Sequence, residues 1–307
     1  MRKLRFGFAD YAVPFVWNKS DPAFSAAANA LSFLFLAVEK MINAAVHEAI
    51  PLITDPDVTE EALAFARQEG QHTMAHRQHV KGLIKSYPAL QNTLDEVVAM
   101  YDDLTAHESL KYRLGYIADL EATFTPSFKM MLDNADTLFA PGDDRVASLF
   151  LWHFVEEIEH RSSALIIYDS VVANPWYRMR IAPSVFKHGA SAMRTAAQGF
   201  NHHLPLEVRE VDAMSMFGSQ AWKFPILRRF PFLQKYSIFR VPDDGPIEPL
   251  YPHVPFREQL AAAYGVMRSQ IPGHDPAQQQ LPAFATEWLA RHKAGYDVTR
   301  WYSTSNS

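Results

Sequence analysis

Cysteine is absent from the 307 residues, which excludes disulfides, zinc–thiolate sites, iron–sulfur clusters and a thiol nucleophile, and is compatible with a cytoplasmic protein. An excess of positive charge is also absent. Lys and Arg number 29 against 34 Asp and Glu, for a net charge of −5, which argues against a general nucleic-acid binder. No uninterrupted apolar run approaches 18 residues, so no membrane-spanning helix is expected. The N-terminus has basic residues, but Asp10 and Pro14 interrupt any apolar stretch, and no signal peptide is read there. The chain contains no GxSxG elbow, no Walker loop and no GxGxxG. His47-Glu48 and His107-Glu108 begin a zinc-protease motif, but neither has a second His three residues after the Glu.

What is present is a set of long apolar helical patterns with acidic and imidazole residues on their apolar faces. Asp21-Pro22 opens a first helix ending near Ile50-Pro51. Its face reads Leu31, Phe35, Ile42 and Val46, with Glu39 in the middle. An Asp57-x-x-Glu60 capping box predicts a second helix to Ser86. It carries Phe65, Glu69, His72 and His76 at offsets of four, three and four, one helix face. Gly70 inside that helix costs about 1 kcal/mol relative to alanine, which a close helix contact or substrate space would explain. Residues 89–106 read as a helical crossover. A third long helix is expected over 108–138, with Glu121 on the face of Leu114, Ile117, Phe124 and Phe128, and a kink at Pro126.

The fourth helix is expected to open at Asp143-Asp144 and run to Asn174-Pro175. Its His153, Glu157 and His160 (i, i+4, i+7) share a face with Phe150, Ala164 and Ile167. Glu156 and Glu159 are expected to face solvent or an interface. A further helix is expected over 176–204. Eight prolines between 205 and 255 exclude long helices there, and short helices are expected over 256–270 and 283–293.

A buried carboxylate is costly unless paired or bound to a metal, so the acidic residues on these faces form one problem. In order they are Glu39; Glu69 with His72; Glu121; and Glu157 with His160. That series, across residues 20–174, resembles the ligand pattern of the ferritin-like superfamily, four-helix bundles that hold two carboxylate-bridged metal ions. The helices FLFLAVEKMINAAVHEAIPLITDPDVTEEALAFARQEGQHTMAHRQH and LWHFVEEIEH are similar to a bacterial family of predicted metal-dependent hydrolases over the first 200 residues. His153 before Glu157 gives His-x-x-x-Glu-x-x-His, similar to the arylamine N-oxygenases, in which the extra imidazole is a third histidine ligand. A hydrogen-bond donor behind the ligands, or a core histidine, fits His153 as well. His76 is read as a pocket residue, and Tyr168 as a redox or a packed core tyrosine.

The expected fold is all-α: a ferritin-like four-helix bundle with its flanking helix over residues 1–204, and a Pro-rich, partly helical extension wrapping it over 205–307. The expected cofactor is two Fe ions, with Mn or mixed Fe/Mn as alternatives, because oxygen-rich sites with few imidazoles suit these metals. The expected function is an oxidoreductase that activates O2 to oxidise a small apolar or amine substrate, with an electron donor as partner and Phe35, Phe65, Phe124 and Phe150 shielding the site. A dimetal-dependent hydrolase is the alternative, and a non-enzymatic metal-binding bundle the second. A homodimer is compatible with such a bundle. Residues 222–240 carry five basic and no acidic residues among aromatics. That composition suits a peripheral membrane contact or an arm packed on the bundle with its cations turned outward; packing is the preferred reading.

Overall fold

Asp21 closes the start of the first helix by accepting a hydrogen bond from the Phe24 amide at 2.8 Å, with Pro22 in the first turn. The structure is a computed structural model describing residues 2–9, 11–218 and 245–304, and every regular element among the described residues is helical. Helices α1 (Pro22–Ala49), α2 (Pro56–Ser86), α3 (Leu90–His107) and α4 (Leu110–Asp133) precede α5 (Asp144–Glu159), α6 (Ser163–Val171) and α7 (Pro175–His203). Two shorter helices follow, α8 (Phe256–Ser269) and α9 (Ala283–Lys293). Helices α1 to α4 pack strongly into a core like that of a four-helix bundle. Helix α5 joins it against α4 and α2, while α3 crosses between α1 and α7. By length and composition α1 could cross a membrane; in the structure nearly all of it is buried.

Three boundaries differ from the sequence reading. Helix α2 is capped by Asp55, whose carboxylate accepts from the Asp57 amide, rather than by Asp57; Pro56 suits the first helical position because it lacks the donor that would go unpaired there. Helix α4 starts after Ser109, which accepts from Tyr112, and runs to Asp133 with Pro126 inside it. The largest difference is in the expected fourth helix, which breaks at His160 (φ −96°, ψ 17°) into α5 and α6. Arg161 stabilises the break: its guanidinium donates to the Ile158 carbonyl at 2.7 Å and to Pro276 O at 2.8 Å. A carbonyl left free by the break is thereby satisfied from outside the helix.

The irregular, Pro-rich C-terminal region rests on the bundle. Helix α8 lies on α4 so closely that a Cβ on Gly265 would sit 2.7 Å from Pro126 Cβ. Arg178 of α7 donates to Asp119 of α4 at 3.2 Å and to Ser269 O at 3.1 Å, joining α7, α4 and the end of α8. Near the C-terminus, the Trp301 amide donates to Ser148 of α5 at 2.9 Å. Residues 222–240, the basic aromatic stretch, lie outside the described residues.

Candidate metal centre

The acidic and imidazole residues read from four separate helices come together inside the bundle. One ligand atom each from Glu69, His72, Glu157 and His160 lies within 4.8 Å of the others, and the same holds for Glu39, His72 and His153. Glu121, on α4, is buried close enough to Glu157 and Glu69 for their charges to raise its carboxyl. All are buried, His160 being the most accessible at 7 %. The break at His160 leaves its imidazole on the cluster: Nε2 is 3.4 Å from Glu69 and 3.6 Å from Glu157.

Electrostatics show a site with surplus acid. Burial first, and then neighbouring carboxylates, push the carboxyls of Glu39, Glu69 and Glu121 above the usual range, Glu39 and Glu121 well above it. Glu157 goes the other way: burial would raise it, but His160, His153 and His72 outweigh that and hold it well below. His72 is raised well above its ordinary value because Glu156, Glu157 and Glu69 outweigh its burial. Like charges at this distance inside a low-dielectric interior cannot all ionise together.

Seven buried atoms of these ligand candidates nevertheless lack a hydrogen-bond partner: Glu39 Oε1, Glu69 Oε1, His72 Nδ1, Glu121 Oε1, Glu157 Oε2 and both ring nitrogens of His160. Buried polar atoms are rarely orphaned in folded proteins. Here they belong to residues of one buried cluster, and their types, carboxylate oxygen and imidazole nitrogen, are ligands for iron, manganese or zinc. The cluster is therefore capable of coordinating a dimetal centre.

Further side chains orient these groups. His72 sends Nε2 to Glu156 at 3.1 Å and keeps Nδ1 3.2 Å from Glu157. Glu156 also accepts from Arg2 at 2.9 Å. Burial would raise its carboxyl, but His72 and Arg2 draw it down to about 2. Thr73 donates to Glu39 Oε2 at 2.9 Å. The expectation that Glu156 faces solvent is wrong: residues 145–158 are all buried, so α5 has no solvent face there. Glu159 does pair with Arg2 near the surface.

His153 donates from Nε2 to the ionised Glu157 Oε1 at 2.8 Å, with Glu39 Oε1 at 3.7 Å. Its Nδ1 meets His76 Nε2 at 2.7 Å. His76 Nδ1 meets Ser32 Oγ at 2.9 Å, and Ser32 Oγ meets His79 Nδ1 at 2.9 Å. Burial lowers all three imidazoles, His153 to about 4 and His79 to about 3, so they are neutral at pH 7.

Phenyl rings close the cluster on several sides. Phe35 lies 4.3 Å from the His153 ring, Phe65 5.1 Å from His160 and Phe150 5.4 Å from His76, with Phe124 behind Phe35 at 6.0 Å. Trp152 adds an edge contact to His72 at 5.1 Å. Tyr168 donates its hydroxyl to Asn174 O at 2.6 Å, an anchor between α6 and the start of α7. A Cβ on Gly70 would meet no atom within 4 Å, so no close helix contact explains that glycine.

Ser32, Thr73, His79, Trp152, Glu156 and Arg2 are additions of the structure. Ser32 lies seven residues before Glu39, and His79 seven after His72, so helical spacing alone could have placed both on the apolar faces. No local signal marks Arg2, which reaches across 154 positions to Glu156.

The fold and the cluster define a helical bundle with a buried metal-binding constellation. The chain belongs to the predicted metal-dependent hydrolase family, whose model matches residues 1–230. No curated protein and no solved structure matches it. The likeness to the arylamine N-oxygenases rests on the His-x-x-x-Glu-x-x-His spacing alone.

Proposed function

We propose that the chain is a dimetal-dependent enzyme in which Glu39, Glu69, His72, Glu121, Glu157 and His160 hold two divalent cations. Its first-choice reaction is hydrolysis of a small molecule, in keeping with the description of its family. The observation that carries the metal reading is that Glu69, His72, Glu157 and His160, and likewise Glu39, His72 and His153, bring buried ligand atoms within 4.8 Å of one another, while Glu39, Glu69, His72, Glu121, Glu157 and His160 each keep a buried atom without a hydrogen-bond partner. Two such cations would supply Lewis-acid activation of a water or, if both are iron, electrons for dioxygen.

The chain's own residues set the conditions for either reaction. Glu156 fixes the His72 ring with Nδ1 toward the cluster, and Thr73 fixes one oxygen of Glu39. His153 is placed to hold a proton at Nε2 beside Glu157. The surrounding phenyl rings exclude water and strengthen every charge interaction inside.

That apolar enclosure supports a second reading, O2-dependent oxidation of a small apolar or amine substrate with an electron donor as partner. The two readings separate in one experiment. Metal-free protein is loaded with Zn2+ or Mn2+ and offered generic esters; a second portion takes Fe(II) without air and is then exposed to it. Ester cleavage that disappears in Glu69→Ala supports hydrolysis. A new near-ultraviolet band after air, without ester cleavage, overturns it in favour of oxidation.

A further inference from the structure

The basic residues at the start of the chain have different fates. Arg2 pairs with Glu156 and Glu159. Lys3 and Arg5 are exposed and, among the described residues, have no acidic partner. Both line a cavity of about 530 Å³ between the N-terminal segment and α2. The fold holds that cavity in shape. Phe6 and Phe8 are buried, their rings 6.1 Å apart, and Phe6 packs 5.6 Å from Trp152 of α5. That anchor keeps Lys3 and Arg5, three positions and one before Phe6, at the cavity. Gln71, Met74, Ala75 and Gln78 stand at offsets of three, four and seven, so one face of α2 forms a second wall.

Trp152 supplies a third wall. It is 1 % exposed, and its indole Nε1 has no hydrogen-bond partner, although a buried indole N–H usually finds one. Gln71 and Gln78 likewise have no hydrogen-bond partner among the described residues. Two cations, two amides and a free indole N–H can all donate, and no described lining residue is acidic. In a chain of net charge −5, this is a local positive patch. Leu4, Phe8 and Met74 add apolar surface. Small-molecule sites combine such apolar walls with a few convergent polar groups, in volumes of about 300–1,000 Å³.

We propose that this cavity binds a small organic anion, a carboxylate or phosphate carried on an apolar body. Lys3 and Arg5 meet the charged group, the ammonium as a point charge and the guanidinium as a fork of donors. Gln71, Gln78 and the Trp152 N–H supply further donors, and Leu4, Phe8 and Met74 cover the body. An anion answers both features at once, the unpaired cations and the buried donor without an acceptor. A neutral ligand answers only the second, and a cation is repelled. The site goes beyond the metal reading and does not depend on it. The two do share a wall, because Trp152 also touches His72, at 5.1 Å between rings.

Titration calorimetry on the full-length protein as purified tests this, with 2-naphthoate and the neutral 2-naphthamide as probes. One molecule of 2-naphthoate is expected to bind per chain, about tenfold more tightly than 2-naphthamide or better. Its affinity should fall as ionic strength rises, because the cations are exposed. Lys3→Gln combined with Arg5→Gln changes no core side chain. It should weaken 2-naphthoate about ten- to a hundredfold, the range for hydrogen bonds to a charged group, and remove most of the salt dependence. Trp152→Phe keeps a ring in place, deletes the N–H and should weaken binding as well. Equal affinity for the two probes would overturn the proposal. So would an affinity unchanged by the double substitution, which is also the outcome if the carboxylate sits on metal in the cluster instead. Should 2-naphthoate not bind at millimolar concentration, phenylphosphonate takes its place with the same substitutions, and no binding of either anion overturns the site.

Discussion

His72 and Glu156 are bonded through Nε2 at 3.1 Å, and that single contact decides which nitrogen of His72 faces the cluster. Outer partners of this kind typically change metal affinity 10- to 100-fold. Glu156→Leu is therefore expected to weaken metal binding by roughly that factor, read by titration calorimetry, while Glu156→Gln, which can still accept from Nε2, recovers part of it. Unchanged affinity in Glu156→Leu would show that His72 needs no such orientation.

Metal binding should expel protons. Glu39, Glu69 and Glu121 hold theirs above the usual carboxylate range, and His72 and His160 are raised as well. Ligation requires these groups unprotonated. The apparent binding enthalpy should thus vary with the ionisation enthalpy of the buffer, and the number of protons released should fall as pH rises from about 6 to about 8. Proton uptake on binding would contradict the surplus-acid description.

His79 gives a pH dependence of opposite sign to the raised carboxylates. Its folded pKa is depressed by burial to about 3, against about 6.5 unfolded. The neutral form is favoured on folding, so its stabilisation is complete above the unfolded value and is lost as pH falls from there toward 3. Between about pH 7.5 and pH 5 that loss amounts to about 2 kcal/mol. Denaturation of His79→Gln at both pH values should show a smaller loss than the wild type by this amount. Equal losses would mean that His79 is not neutral in the folded protein.

Much of this site was legible in the sequence because burial and helical period constrain it jointly. Glu39, Glu69, Glu121 and Glu157 lie among residues such as Phe35, Phe65, Ile117 and Phe150 that must face inward, so a polar side chain at those positions has to go inward too. The same reasoning misplaced Glu156. Periodicity assigns it a different face from Glu157, but it cannot reveal that α5 is enclosed on every side. The break at His160 was hidden because Arg161, Ser162 and Ser163 carry no proline or glycine. Its support comes from carbonyl contacts to residues 276 and 277, more than a hundred positions away.

Gly70 offers a change in which stability and function should part. A Cβ there meets nothing within 4 Å, and alanine in a helix interior is favoured over glycine by about 1 kcal/mol. Gly70→Ala should raise the unfolding free energy by up to that amount, checked by urea titration. A destabilised variant would show that glycine is needed there for packing.

The Asp119–Arg178 pair ties α7 to α4, and Arg178 extends the tie to the end of α8 through Ser269 O. Burial raises the Asp119 carboxyl to about 7 despite Arg178, and both side chains are almost fully enclosed. Removing one partner of such a pair typically costs about 3–5 kcal/mol. Arg178→Met should approach that loss in chemical denaturation, and Asp119→Leu combined with it should recover part. A loss within about 0.5 kcal/mol, the size of an ordinary surface change, would count against the pair as a tie between α4 and α7.

The central claim is most directly tested by anomalous X-ray scattering from crystals of the protein as purified, recorded at the absorption edge of whichever metal elemental analysis finds. Two adjacent peaks enclosed by Glu39, Glu69, His72, Glu121, Glu157 and His160 are predicted. Fully loaded crystals with no peak among these side chains, or with metal only at the surface, would contradict it.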